Sequence, residues 1–209
     1  MLLSRMALRS DPLEVIFDRF LTSQVIFKNR EVLRHDFVPS RLPHREEELS
    51  RVAEILAPTL VGSRGSNALV YGKTGTGKTA SVKYVLSRIE EKCKHLNSSF
   101  TGIYVNCRLA GTEYRVLSQI CSLHAILTPF TGLAMAELFQ RLISSLKSRG
   151  SRSIVVLDEV DALVKGFGDR LLYELTRINE FLGTAKLTIV GISNDLSFKE
   201  YLDSRVLSS

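Results

Sequence analysis

The sequence predicts an α/β fold, in which a parallel β-sheet carries helices on both faces. After residue 45, short apolar runs alternate with longer stretches of helical period. The run at residues 153–159 is apolar on both strand faces, as expected of a strand that helices cover on both sides. A glycine-rich loop joins the first apolar run to the first long helix. Together these features are typical of β-α-β units and a parallel sheet.

Four strands and the helices between them can be placed in chain order. The predicted strands are NALVY (67–71), GIYVNC (102–107), SIVVLDE (153–159) and KLTIVGIS (186–193). The helix after the loop has one apolar face, made by Val82, Val85, Leu86, Ile89, Cys93 and Leu96. Two helices are predicted around residues 113–127 and 133–147. A helix with five apolar positions follows the third strand, at Leu171, Leu172, Leu175, Ile178 and Leu182.

The residues before the sheet have a different character. We expect residues 1–36 to form an N-terminal arm, frayed at its start and helical over DPLEVIFDRFL, and residues 37–209 to form one α/β domain. FVPSRLP is predicted as an extended connector because it holds two prolines. HREEELSRVAEIL then begins a helix that leads toward the first strand.

Composition excludes some classes of protein. A hydrophobic content of 44% and a charged content of 24% are those of a globular chain, and no apolar run is long enough to span a bilayer. Three cysteines without framework spacing fit a reducing compartment, so we expect a cytoplasmic protein. Residues 61–130 carry nine Lys/Arg and three Asp/Glu, which accounts for the whole net charge of +6. This basic region indicates either phosphate-bearing partners or merely a basic surface, and charge alone leaves both open.

The loop GKTGTGKT at residues 72–79 matches the Walker A pattern. Its glycines let backbone N–H groups turn toward one point, and the helix that follows adds partial positive charge there. In this pattern Lys78 reaches the β- and γ-phosphates of ATP or ADP, and the Thr79 hydroxyl holds Mg²⁺. The predicted nucleotide-binding residues of the loop are Gly72, Lys73, Thr74, Gly75, Thr76, Gly77, Lys78, Thr79 and Ala80.

Polar residues end the third and fourth strands. Asp158 would join Thr79 as a residue of the Mg²⁺ shell. Glu159 could polarise a water for attack on the γ-phosphate, and Lys78 is predicted as a second catalytic residue. Asn194 could orient that water. Taken alone, the carboxylates could merely cap a strand and the amide could be a turn residue. Asp161 could serve catalysis or simply start a helix.

Three longer segments extend these motifs into a family resemblance. FVPSRLPHREEEL, YVNCRLAGTEYRV and ISNDLSFKEYLDSRVLSS, with the Walker motifs, resemble the archaeal origin-recognition and initiator proteins of the AAA+ ATPases over residues 36–209. The resemblance implies an AAA+ base subdomain with a P-loop NTPase fold. It also implies a nucleoid-associated initiator that binds duplex origin DNA, hydrolyses ATP slowly with Mg²⁺, and helps load the replicative helicase with other initiator subunits.

The same resemblance implies roles for residues outside the Walker motifs. Val38, His44 and Arg45 would contact the base or ribose, although the last two could simply be a solvated helix start. Arg108 and Arg115 would contact DNA phosphates, although they too could be ordinary surface charges.

The chain departs from the family pattern after residue 209. The family continues with a fifth strand, a helical lid with a sensor arginine, and a DNA-reading winged helix, so we expect an incomplete domain with an exposed sheet edge beside the first strand. Arg205 could face a neighbouring subunit or bond to the sheet edge. Two other functions stay open: a clamp-loader- or helicase-like ATPase, and a regulatory paralogue that binds nucleotide but not DNA. Cys121 and His124, taken together with Cys93 and His95, lack zinc-site spacing and are expected to be core or surface residues.

Overall fold

The computed structural model describes residues 11–22, 39, 42–128 and 132–208. The chain divides into two compact units, Met1–Phe37 and Val38–Ser209. In the first unit the predicted helix is present as α1 (Pro12–Thr22), and Leu13 and Phe17 on it are exposed. The frayed N-terminus, and most of the connector predicted at residues 37–43, lie outside the described residues.

The second unit alternates strands with helices as predicted. Its strands are β1 (Ala68–Tyr71), β2 (Phe100–Asn106), β3 (Arg152–Asp158) and β4 (Lys186–Ser193). Its helices are α2 (Glu46–Leu56), α3 (Lys78–His95), α4 (Cys107–Ala110), α5 (Glu113–Leu123), α6 (Met135–Arg149), α7 (Val160–Phe167), α8 (Arg170–Arg177), α9 (Asn179–Leu182) and α10 (Ser204–Leu207). Within the described residues, two 3₁₀ helices lie at Ala57–Val61 and Phe198–Tyr201.

All four strands are parallel, in the order β1-β4-β3-β2, which confirms the predicted sheet. The central strands β3 and β4 are buried almost throughout. The apolar run NALVY is typical of a buried strand, but β1 is only half-buried and Tyr71 at its end is exposed, so that expectation is wrong. The reason is its position: among the described residues, β1 has a paired strand on one side only.

Helices cover both faces of the sheet, as predicted from the third strand. Successive side chains of a strand point to opposite faces, and Ile154 and Val156 pack in the core formed with α2 and α3. Val155 and Leu157 pack in the core on the other face, formed with α5 to α8. All four are fully buried, and burial of one such side chain is worth about 1.5–3 kcal/mol.

Helix boundaries differ from the expectations in three places. The helix predicted over residues 171–182 is divided into α8 and α9 around Ile178, although its five apolar residues are buried. The helix predicted to reach residue 127 ends at Leu123, and Ala125 adopts a left-handed φ of 55° just after it. Leu96 is exposed because α3 ends one residue before it. Among the helices of the described ranges, none has the length and apolar character needed to cross a bilayer.

Candidate nucleotide-binding site

The carboxyl ends of the four strands meet at one edge of the sheet, where polar residues collect. In a parallel sheet all strands end on the same side, so the loop after β1 lies near the ends of its neighbours. Asn106 at the end of β2 is in register with Asp158 at the end of β3. Tyr71 at the end of β1 is in register with Ser193 at the end of β4. The phosphate loop and Asp158, which are far apart in sequence, therefore lie at one edge of the sheet.

Two glycines shape the phosphate loop. Gly75 and Gly77 have φ values of 79° and 80°, in the left-handed region that disfavours other residues. A Cβ on Gly75 would meet nothing within 4 Å, so the loop is open there. A Cβ on Gly77 would lie 2.9 Å from Cζ of Arg45, so the guanidinium lies directly against the loop. The loop ends at α3, whose 18 residues direct the positive end of the helix dipole toward it.

Lys78 lies over the loop that precedes it. Its Nζ donates hydrogen bonds to the carbonyl oxygens of Gly72 and Lys73, at 2.8 and 2.9 Å. The Thr76 hydroxyl also donates to the Lys73 carbonyl, at 2.8 Å. The ammonium is therefore held at the loop, where it can exchange carbonyl oxygens for the oxygens of a phosphate.

Asp158 accepts three hydrogen bonds. The hydroxyls of Thr79 and Tyr104 donate to its Oδ2 at 2.8 and 2.6 Å, and the backbone N–H of Glu159 donates to its Oδ1 at 2.9 Å. The carboxylate is buried, and burial together with the Asp158 hydrogen bond raises the pKa of the Tyr104 phenol. The Lys83 ammonium lies 3.8 Å from the centre of the Tyr104 ring. A hydroxyl and a carboxylate this close form the hard-oxygen environment that Mg²⁺ requires, so the residues present fit the ion.

Glu159 is held by two donors. Asn106 Nδ2 donates to its Oε1 at 3.2 Å, and Arg108 Nε pairs with its Oε2 at 2.6 Å. The backbone of Glu159 has a φ of 51°, which is uncommon outside glycine. Asn106 also accepts the N–H of Leu109 and so caps α4. The proposed base is therefore engaged in an ion pair in this conformation.

Asn194 follows β4 at the same edge. Its backbone N–H donates to Oδ1 of Asp161 at 3.3 Å, so Asp161, which is buried in the first turn of α7, ties that helix to the end of β4. Next to these carboxylates, burial and the negative charges of Asp158, Asp161 and Glu159 raise the pKa of the Cys107 thiol to about 12.

The three residues predicted to contact the base or ribose differ in what the structure says of them. Arg45 lies against the loop, as described above, at the start of α2. His44 is exposed and has a φ of 58°. Val38 lies outside the described residues. Arg45 is thus placed beside the phosphate loop, and the roles of all three residues stay predictions.

The other residues considered from the sequence lie on other elements or loops. Arg115 is exposed on α5. Arg205 pairs with both carboxylate oxygens of Asp203 and lies 4.9 Å from the ring of Tyr173. His124 is buried, and burial lowers its pKa to about 4. In the described part of the chain, no group of three or more His, Cys, Asp or Glu residues could hold a metal ion.

Tyr104 and Asn106 are site residues that the sequence patterns above do not predict. Both residues could be found from the sequence, because they stand on β2 at alternate positions that lead to the sheet edge. Their partners on the third strand depend on register, which the sequence did not specify.

The chain is similar to proteins of known family and known structure. The family described as AAA domain matches residues 61–197. The chain is 50% identical to the ORC1-type DNA replication protein of Desulfurococcus amylolyticus, over 94% of this chain and 50% of that protein. It is 46% identical to ORC1-type DNA replication protein 1 of Archaeoglobus fulgidus, over 93% of this chain and 47% of that protein. The chain thus spans about half the length of the curated relatives it matches.

Solved structures show the same fold. The structure of the Aeropyrum pernix ORC1 protein in complex with DNA matches with a TM-score of 0.81 and 48% identity, over 87% of this chain and 47% of that one. The Aeropyrum pernix ORC2 protein, solved as ADPNP-ADP complexes, matches with a TM-score of 0.76 and 22% identity, over 87% of this chain and 49% of that one. The predicted α/β P-loop fold of the AAA+ class is confirmed. The chain belongs to the AAA domain family, and nearly its whole length is similar to about half of the ORC1-type DNA replication proteins that it matches.

Proposed function

We propose that this chain is the nucleotide-binding part of a replication initiator, which binds ATP or ADP with Mg²⁺, hydrolyses ATP slowly and acts on duplex origin DNA. The observation that carries the proposal is the convergence of three features at one sheet edge. These are the open phosphate loop, the Arg45 guanidinium against it, and the hydrogen bond between Thr79 and Asp158. Each supplies a different part of nucleotide recognition.

The phosphates would be bound by the loop and the start of α3. Backbone N–H groups and a helix N-terminus attract anions, and Lys78 adds a full positive charge at the same point. Arg45 approaches from α2 and can form charge-assisted hydrogen bonds to a phosphate or to the ribose. Bonds of this kind contribute roughly 1.5–3 kcal/mol each.

Thr79 and Asp158 would hold the magnesium ion. Because the Thr79 hydroxyl donates its proton to Asp158, the lone pairs of Oγ1 remain directed away from that bond. When bound, Mg²⁺ supplies neutralisation of charge on the phosphate oxygens.

Slow hydrolysis is supported by the contacts that the proposed base, Glu159, makes in this conformation. Glu159 would accept a proton from the attacking water, and Asn194 would orient that water from the end of β4. In this conformation Glu159 bonds to Asn106 and Arg108. It must exchange at least one of these partners before it can act on a water.

The role in replication is supported by the relatives. A protein 48% identical to this chain was solved in complex with DNA. The basic residues 61–130, which include Arg108 and Arg115, offer positive charge for phosphates. Origin recognition and helicase loading would involve the whole initiator and its fellow subunits, acting at the nucleoid in the cytoplasm.

The first test is to denature the purified chain and identify any released nucleotide by chromatography, followed by titration of the emptied protein with ADP. Stoichiometric ADP and little phosphate release would support a nucleotide switch. Sustained, DNA-stimulated release would favour the helicase- or clamp-loader-like alternative, and nucleotide binding without duplex binding at low salt would favour the regulatory one.

A matched pair of variants tests the loop itself. Lys78→Ala is expected to weaken ADP binding at least tenfold, because charge-assisted bonds to the phosphates are lost. Lys186→Ala is the control, since its ammonium donates to the Gly183 carbonyl at the start of β4, away from the site. Equal ADP affinity in the two variants would refute the assignment of the loop.

A further inference from the structure

Tyr104 shares the oxygen of Asp158 that Thr79 uses. Its hydroxyl donates to Oδ2 at 2.6 Å, and the Thr79 hydroxyl donates to the same atom at 2.8 Å. An ionised carboxylate only accepts hydrogen bonds, so the phenol must be the donor. The two donors come from different elements, β2 and α3, and together they restrict rotation of the carboxylate about its own axis.

Three donors leave Asp158 little freedom. A carboxylate has about four lone-pair positions, and Thr79, Tyr104 and the backbone N–H of Glu159 take three of them. The remaining position is on Oδ1. Asp158 can therefore offer one oxygen to the shell of a metal ion, in one orientation.

The ring of Tyr104 is itself fixed. It lies half-buried among the apolar side chains that join the sheet to α3. Lys83 holds its ammonium 3.8 Å from the ring centre, a cation–π contact from the same helix that carries Thr79. A phenol held on both sides keeps its hydroxyl directed at Asp158.

We infer that Tyr104 is a positioning residue that orients the Asp158 carboxylate for Mg²⁺ and thereby sets how strongly the ion strengthens nucleotide binding. The inference rests on the proposed function, since it assumes that nucleotide and Mg²⁺ bind at this edge. Tyr104 acts through Asp158 and makes no contact with the nucleotide in this role. Outer residues of this kind typically change metal affinity by about 10- to 100-fold when their hydrogen bond is removed.

The test is the dependence of ADP affinity on Mg²⁺ in Tyr104→Phe, measured by calorimetry on the nucleotide-free chain, first in EDTA and then across a Mg²⁺ titration. We expect ADP affinity in EDTA to stay within about twofold of the wild type, because the phosphate loop is untouched. The Mg²⁺ concentration that gives half of the gain in affinity should rise roughly tenfold.

Tyr84→Phe is the matched control. Like Tyr104, Tyr84 is a half-buried tyrosine, but it stands on α3 and lines an apolar groove between α2 and α3 instead of the site. It should leave both measurements unchanged, and circular dichroism should show that both variants retain the wild-type helix content.

Two results would overturn the inference while leaving the proposed function intact: an unchanged Mg²⁺ requirement in Tyr104→Phe, or an equal loss of affinity in EDTA and in Mg²⁺, which indicates general damage. A wild-type chain that fails to bind ADP would overturn the proposed function, and the inference with it.

Discussion

Arg108 is expected to restrain ATP hydrolysis, and its removal should raise the rate. Its Nε pairs with Oε2 of Glu159 at 2.6 Å, and the proposed base must leave this pair before it can take a proton from water. In Arg108→Ala the bond from Asn106 to the other carboxylate oxygen remains. The base is then freed at a lower cost in each turnover.

The size of the effect follows from the exposure of the pair. The Arg108 side chain is 64% exposed and that of Glu159 is 26% exposed, so water screens the interaction. Ion pairs of this kind contribute about 0.2–1 kcal/mol. Since 1.4 kcal/mol corresponds to a factor of ten, the hydrolysis rate should increase between about 1.5- and 5-fold.

The assay is steady-state phosphate release at saturating ATP and Mg²⁺. Arg88→Ala is the control, because Arg88 forms an equally short pair on α3, at 2.6 Å from Glu91, in which both side chains are exposed. Its rate should match the wild type. An Arg108→Ala rate equal to that of the control, or below it, would refute the reasoning, and a lower rate would mean that Arg108 holds Glu159 in its working position.

Two further predictions concern the base and a buried histidine. Glu159→Gln should bind ATP with wild-type affinity and lose phosphate release, because an amide cannot accept the proton of the attacking water; normal turnover in this variant would remove Glu159 from the role of base. Burial lowers the pKa of His124 from 6.5 to about 4. As the pH falls, the unfolded chain therefore takes up a proton on this histidine before the folded chain does. The free energy of unfolding should drop by about 3 kcal/mol between pH 6.5 and pH 4. The measurement is urea unfolding across this pH range, in which His124→Leu should lose this part of the pH dependence. His95→Asn, which changes an exposed histidine, should keep it. Identical pH profiles for the two variants would contradict the assignment of this pH dependence to His124.

Some of the fold could be predicted because its signals are local. The third and fourth strands are short apolar runs with turn residues at their ends, and β4 has the bounds that the sequence indicates. The phosphate loop is contained in eight consecutive residues, so its position needs no tertiary information. The division into α8 and α9 was missed because a break in a helix depends on how its two halves pack against the sheet, which periodicity does not report.

The sequence by itself therefore determined the class of fold, the phosphate loop and the acidic residues that end the third strand. Only the tertiary structure decided which side chains surround Asp158 and Glu159. The Tyr104–Asp158 bond joins residues 54 positions apart, and the Thr79–Asp158 bond joins residues 79 apart. Strand order and register create such contacts, because they bring the ends of β2 and β3 and the start of α3 to one edge. A local pattern carries no record of which distant residue will lie within hydrogen-bond distance.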